Sequence, residues 1–194
     1  MRSSLLDNLP EALAGVKTRP LFVMRLSSRM QVIGPTPGYV RRVGAVFGGV
    51  FEGERLAGEV LDSGNDWQTV RSDSAVTLDV RLVLKTDDEA MIGMTYRGIR
   101  HGPPDVMARI DRGEAVDPAS YYFRIASFFE TAAPKYDWLN RLLAVGIGHR
   151  RADGPIYSLF DSSDRPSFPD RDLIAPRRKA KTGAGPGKRR RTHG

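Results

Sequence analysis

Residues 77–98, TLDVRLVLKTDDEAMIGMTYRG, constrain the fold more tightly than any other stretch of the chain. Neighbouring residues on a strand point to opposite faces, so a period of two sorts side chains into two sets. In the first half Leu78, Val80, Leu82 and Leu84 form one set, and Thr77, Asp79 and Arg81 the other. In the second half Ile92, Met94 and Tyr96 alternate with Thr95 and Arg97. The acidic stretch between the halves is a turn, which makes the segment a hairpin.

The rest of the chain has the same texture. LFVMRLSSRMQVI (21–33), YVRRVGAVFGGVFEG (39–53), RLAGEVL (55–61), WQTVRS (67–72) and YYFRIASFFE (121–130) read as strands between Pro, Gly, Asp and Ser clusters. AVGIGHRRADGPIYSLFD (144–161) reads as a last hairpin turning at Ala152, Asp153 and Gly154. Short helices are expected in SSLLDNLPEALAG, near the N-terminus, and in PPDVMARIDRG (103–113), where Pro103 and Pro104 suit a first turn. A helical turn is expected in YDWLNRLL (136–143). Many closely spaced strands with little helix indicate an antiparallel sandwich or barrel, and the glycines at 44, 48, 49, 53 and 58 suit coiled, bulged strands.

A length of 194 residues is that of one domain. The formal charge of +7 is local: nine of the 30 Lys and Arg residues, with one acid, lie in 171–194. The 21 basic and 22 acidic residues of 1–170 leave that part near neutral. Three regions follow: an N-terminal arm (1–19), a β domain (20–161) and a disordered basic tail (162–194), rich in Pro, Ser and Gly. The chain has no cysteine, which excludes disulfides and thiolate chemistry. No apolar run reaches the roughly 20 residues that span a bilayer, and the first residues lack a secretory core, so a cytoplasmic protein without a membrane partner is expected.

The charged residues of the strands are the candidate site. Asp79 and Arg81 share a strand face and reach a common ligand, and Thr95 and Arg97 join them if the hairpin register pairs them. On pattern alone this face is either a solvated exterior or a lumen lining. Trp67 is flanked by Asp66 and Gln68, Glu52 lies beside Gly53, and Tyr122 and Arg124 alternate with Phe123 and Ile125.

Other chemistries find no support in the spacing. His101, His149 and His193 make no HxH or HExxH pattern, so no metal centre is expected. Asp87-Asp88-Glu89 lacks calcium-loop spacing, GAVFGG is not a dinucleotide-binding loop, and Ser120, Ser127 and Ser158 lack a nucleophile-elbow context. The cations of the tail are those of a weak polyanion binder, with no base-reading motif beside them and so no specific nucleic-acid partner.

GGVFEGERLAGEVLDSGNDWQTVRSD (48–73), TLDVRLVLKTDDEAMIGMTYRG (77–98), YYFRIASFFETAAPKYDWLN (121–140) and AVGIGHR (144–150) together resemble the domain of unknown function 3237 family, also called uncharacterised protein family 0311. The resemblance implies a closed antiparallel β-barrel, calycin-like or allene-oxide-cyclase-like, with one or two short helices and often dimeric. Residues 1–20 and the tail lie outside it. Within it, the turn after TDD departs from the pattern and reads Glu89-Ala90, where glycine is the more usual turn residue.

The expectation is therefore a small-molecule-binding barrel whose charged strand face lines the cavity. Asp79 is the expected acid or base. Arg81, Arg97 and Arg124 hold an anion, Tyr122 donates a hydrogen bond, Trp67 forms an apolar wall and Glu52 contacts the ligand. Such a set suits cofactor-independent isomerase, cyclase or lyase chemistry on an anionic or carbonyl-bearing substrate. The alternative is a non-catalytic binding or dimeric scaffold protein in which the same charges form structural ion pairs.

Overall fold

The computed structural model of the chain describes residues 5–162. Among them run nine strands: β1 (Arg19–Thr36), β2 (Tyr39–Glu52), β3 (Ala57–Val60), β4 (Gly64–Arg71), β5 (Val76–Thr86), β6 (Met91–His101), β7 (Tyr122–Glu130), β8 (Ala144–Arg151) and β9 (Gly154–Asp161). One α-helix, α1 (Pro104–Asp111), follows β6. The ladder runs β1–β9–β8–β7–β6–β5, and β5 returns through β3 and β4 to β2, which pairs with β1. β3 pairs with Gly49–Glu52 of β2 and β4 with Tyr39–Val46, so the two short strands fill one position at successive levels. The result is the expected closed antiparallel barrel, with eight positions around its circumference.

An eight-position barrel has a lumen just wide enough for side chains to fill. Here the aliphatic sets fill it: Val80, Leu84, Ile92, Met94 and Leu159 are fully buried. At one end Phe22 packs tilted against Phe51 and edge-on against Phe129, with ring centroids 5.5 and 6.0 Å apart. That end is closed by a 3-10 segment, Pro134–Arg141, which buries Tyr136 and Leu139. The other end is covered by α1, which turns Val106, Met107 and Ile110 into the core. Close strand approach needs glycine at Gly154, where φ is +128° and a Cβ would run into the Leu26 carbonyl of β1.

The helix expected near the N-terminus appears as two single 3-10 turns, Leu6–Asn8 and Glu11–Leu13, split by Pro10, with Leu9 and Leu13 left exposed. So short an amphipathic segment cannot hold a helix without a partner face. From residue 163 onward, the tail expected to be disordered lies outside the described residues.

The β5–β6 turn is exposed at Asp87, Asp88 and Glu89 and is anchored through Asp88. The Asp88 carboxylate accepts from Lys135 Nζ (2.6 Å), Thr86 Oγ1 (2.6 Å) and Tyr136 Oη (2.8 Å). Those bonds, Lys135 first, hold the Asp88 carboxyl well below the usual carboxylate range. Glu89 takes the left-handed conformation that glycine would favour, with φ +68°. Replacing Glu89 with Gly is expected to raise stability by about 0.5–1 kcal/mol, because the relief of strain exceeds the added chain entropy. Urea unfolding of the two proteins measures it, and an unchanged or lower midpoint contradicts it.

Candidate functional site

Register decides which face of each strand enters the lumen, and it places the expected residues outside. Trp67, Asp79 and Arg97 are consecutive partners across β4, β5 and β6. Their row lies on the outer surface, with the Asp79 and Arg97 side chains 41% and 83% exposed. Arg81 Nη1 and Arg97 Nη2 approach the Asp79 carboxylate at 3.4 and 3.8 Å, a surface ion-pair set. Glu52 and Arg124 are likewise exposed. Tyr122 stacks on His101 at 5.0 Å and carries the Arg124 guanidinium over its ring at 4.9 Å. The expected lumen lining is corrected on this point: Leu78, Val80, Leu82 and Leu84 occupy the interior, because burying four aliphatic chains outweighs burying their charged neighbours.

A different polar group is buried beneath α1. Asp66, Val80, Tyr96 and Ser127 form one inward row across β4 to β7. Gln68 lies two residues beyond Asp66 and donates to its Oδ2 at 2.6 Å. Tyr96 and Tyr157 face each other with ring centroids 5.5 Å apart, and Tyr157 packs edge-on against Phe123 at 5.4 Å. Arg42 of β2 and Arg100 of β6 both reach Asp111 Oδ1, at the C-terminal end of α1, at 3.1 and 3.5 Å.

Several of these groups lack partners. Among the described residues, the buried side-chain atoms without a hydrogen bond are Arg42 Nε and Nη2, Asp66 Oδ1, Tyr96 Oη, Arg100 Nε and Ser127 Oγ. Every one belongs to an inward-facing residue of β2, β4, β6 or β7. Leaving a buried polar atom unsatisfied costs about 1–3 kcal/mol, so native interiors keep few of them.

Burial also sets the charge states. It pushes the Asp66 carboxyl up from 3.8 to about 6, against the pull of the Gln68 hydrogen bond and of the Arg100 and Arg42 charges. Burial raises both phenols, Tyr96 and Tyr157, and the Asp66 charge adds to each shift. Arg100 is lowered by its burial, an effect that Asp111 opposes. The site thus holds a carboxyl that titrates near neutrality, two neutral phenols and two guanidinium groups.

Beside it opens a cleft of about 380 Å³, lined by Ala115 and by His149, Arg150, Arg151, Ala152 and Asp153 of the β8–β9 hairpin. Tyr121 Oη accepts from the Arg150 amide at 2.8 Å and lies 2.9 Å from His149 Nδ1.

The family described as "Protein of unknown function (DUF3237)" matches residues 16–161. This chain belongs to that family. A UPF0311 protein of Rhodopseudomonas palustris is 40% identical over 114 residues, which cover 59% of this chain and 74% of that protein. A crystal structure of a conserved protein of unknown function from Rhodopseudomonas palustris has 33% identity and a TM-score of 0.74, covering 76% of this chain and 97% of its own. A β-barrel-like protein from Acinetobacter baumannii has 36% identity and a TM-score of 0.66, covering 76% of this chain and 96% of its own.

Membership of the DUF3237 family leaves the site to be read from its chemistry. Among the described residues no group of three His, Asp or Glu side chains could hold a metal ion, and no helix is long and apolar enough to cross a membrane. Sequence reasoning passed over Asp66, Gln68, Tyr96, Arg100 and Tyr157 as site residues. One signal was available: Arg100 and Tyr96 stand in phase with Ile92 and Met94, so parity alone sends them inward.

The raised Asp66 value has a consequence for stability. The unfolded carboxyl titrates near 3.8 and the folded one near 6, so folding favours the protonated form. Its contribution is complete below about pH 4 and is lost as the pH rises through about 6. The two-unit difference corresponds to roughly 3 kcal/mol. Asp66→Asn, which keeps an acceptor for Gln68, is therefore expected to be more stable than the wild type by about 2–3 kcal/mol at pH 8 and equal to it at pH 4. Urea unfolding at the two pH values measures the difference, and equal curves at pH 8 contradict it.

Proposed function

We propose that the chain binds a small carbonyl-bearing or anionic molecule at the polar end of the barrel and moves a proton on it without a cofactor. The observation that carries this reading is the group of unpartnered buried atoms on Arg42, Asp66, Tyr96, Arg100 and Ser127. Arg42, Tyr96, Arg100 and Ser127 leave donors that a ligand carbonyl or carboxylate would satisfy, and Asp66 Oδ1 leaves an acceptor for a ligand proton. Asp66, titrating near 6, is matched to accept and return a proton at neutral pH. Arg100 and the neutral phenols are suited to an oxygen that gains negative charge as the proton leaves. An isomerase, a cyclase or a lyase would each use such a step.

The test is exchange of acidic protons in deuterated buffer, followed by NMR over a panel of small ketones and keto acids. Wild-type protein should accelerate loss of the proton adjacent to the carbonyl in at least one compound. Asp66→Asn should reduce that rate by about 10²–10⁴-fold. Asp79→Asn, on the outer surface, should leave it unchanged. An inactive panel, or full activity in Asp66→Asn, sinks the proposal. Loss of activity in Asp79→Asn would return the site to the outer face.

One observation favours a second reading, that of a dimeric scaffold. Phe128, Val145 and Ile147 are exposed together on the outer face of β7 and β8. Sedimentation of the wild type and of Val145→Asp tests it: a dimer dissociated by the substitution supports a scaffold face, and a monomer in both cases removes it.

A further inference from the structure

We propose that the cleft beside the β8–β9 hairpin is an oxyanion-binding site, taking the carboxylate or phosphate group of a small molecule through Arg150 and His149. The inference goes beyond the proton-transfer reading, because it stands on the cleft itself and does not require Asp66 to do chemistry.

The first support is the charge left over in the cleft. Its lining holds Arg150, Arg151, His149 and one acid, Asp153. That acid is already engaged by Arg151 Nε at 3.2 Å and by Arg25 Nη1 at 3.9 Å. Arg150 is half-buried, and its guanidinium has no ion pair or hydrogen bond among the described residues. Its charge also acts on Arg100 and Tyr157 deeper in the barrel, where Asp111 is the counterion of Arg100 and not of Arg150. A half-buried guanidinium that lines an open cleft and has no acid of its own calls for an anion on the cleft side.

The second support is the hydrogen on His149. Tyr121 Oη receives the Arg150 amide hydrogen at 2.8 Å, so its own hydroxyl hydrogen is free to go to His149 Nδ1 at 2.9 Å. With Nδ1 accepting, the neutral ring carries its hydrogen on Nε2. The nitrogen left for a ligand is therefore a donor. Arg150 also offers only donors, and a group that accepts from both is an oxyanion. The same tyrosine thus fixes the imidazole tautomer and ties it to the backbone of the arginine beside it.

The experiment uses the full chain at constant ionic strength, with acetate, benzoate and inorganic phosphate as probes and chloride as the control. Histidine side-chain signals are followed by two-dimensional NMR; the chain has three histidines, and His149→Gln identifies the relevant signal. The His149 signal should move saturably with at least one probe while that of His101, on the outer face against Tyr122, stays fixed. Arg150→Gln should weaken this binding at least tenfold, and Arg150→Lys should weaken it less. Saturation by phosphate alone assigns a phosphate group, and saturation by acetate or benzoate alone assigns a carboxylate. A His149 signal unmoved by every probe, or Arg150→Gln titrating like the wild type, overturns the proposal. Asp66→Asn should bind the probe as the wild type does. If proton exchange depends on Asp66 while the cleft stays silent, only the cleft falls; if the cleft binds and no exchange is found, only the proton-transfer reading falls.

Discussion

Closure of the sheet on itself governs everything else in this molecule. Once β1 pairs with both β2 and β9, each strand has one face turned to a lumen that admits only side chains. The interior must then be filled to close-packed density, and the residues that fill it at least cost are aliphatic. Leu78, Val80, Leu82 and Leu84 on β5, with Ile92 and Met94 on β6, meet that demand through the middle and one end. The charged face of the same hairpin has nowhere to go but outward, where Asp79 is shared between Arg81 and Arg97 at little energetic consequence.

A filled middle gives meaning to the exception at the other end. Asp66, Gln68, Tyr96, Arg100 and Ser127 occupy positions where the pleat would accept Leu or Val, and they stay buried with some of their atoms unmatched. Packing alone would favour apolar replacements. Arg100 among them is tied to the only α-helix among the described residues through Asp111. The cleft lies outside them and is lined by Arg150, whose charge acts on Arg100 and Tyr157 within.

Much of the architecture was legible in the sequence. The strands, the short helix after Pro103 and the turn at Ala152–Gly154 follow from period-two alternation and punctuation by Gly and Pro. Which face looks inward was harder. On β5 the apolar set already names the interior, but the clustering of Trp67 and Tyr122 with charges made the opposite face attractive. Those aromatics pack outside, Tyr122 on His101 and Trp67 beside Asp79. On β4 the pattern gives no help: the inward set is Gly64, Asp66, Gln68 and Val70, and the outward set contains the tryptophan. Only its pairing to β5, whose parity is unambiguous, settles the orientation. The site was hidden because its residues come one or two at a time from β2, β4, β6, β7 and β9, and no local motif gathers them.

The helix α1 has a role in this electrostatic arrangement that its length would not suggest. Arg42 and Arg100 are the guanidinium groups nearest to Asp66 in charge, yet their ion pairs go to Asp111 on α1. Asp66 keeps only a neutral amide, Gln68, as its direct partner. A guanidinium bonded directly to a carboxylate would lower its titration point by a unit or more. Each arginine turns one nitrogen to Asp111 and none to Asp66, so burial outweighs their pull on the Asp66 carboxyl. The position of a surface carboxylate on a two-turn helix therefore sets the proton affinity of a buried one. An arginine moved from Asp111 onto Asp66 would pull that carboxyl back toward the ordinary carboxylate range.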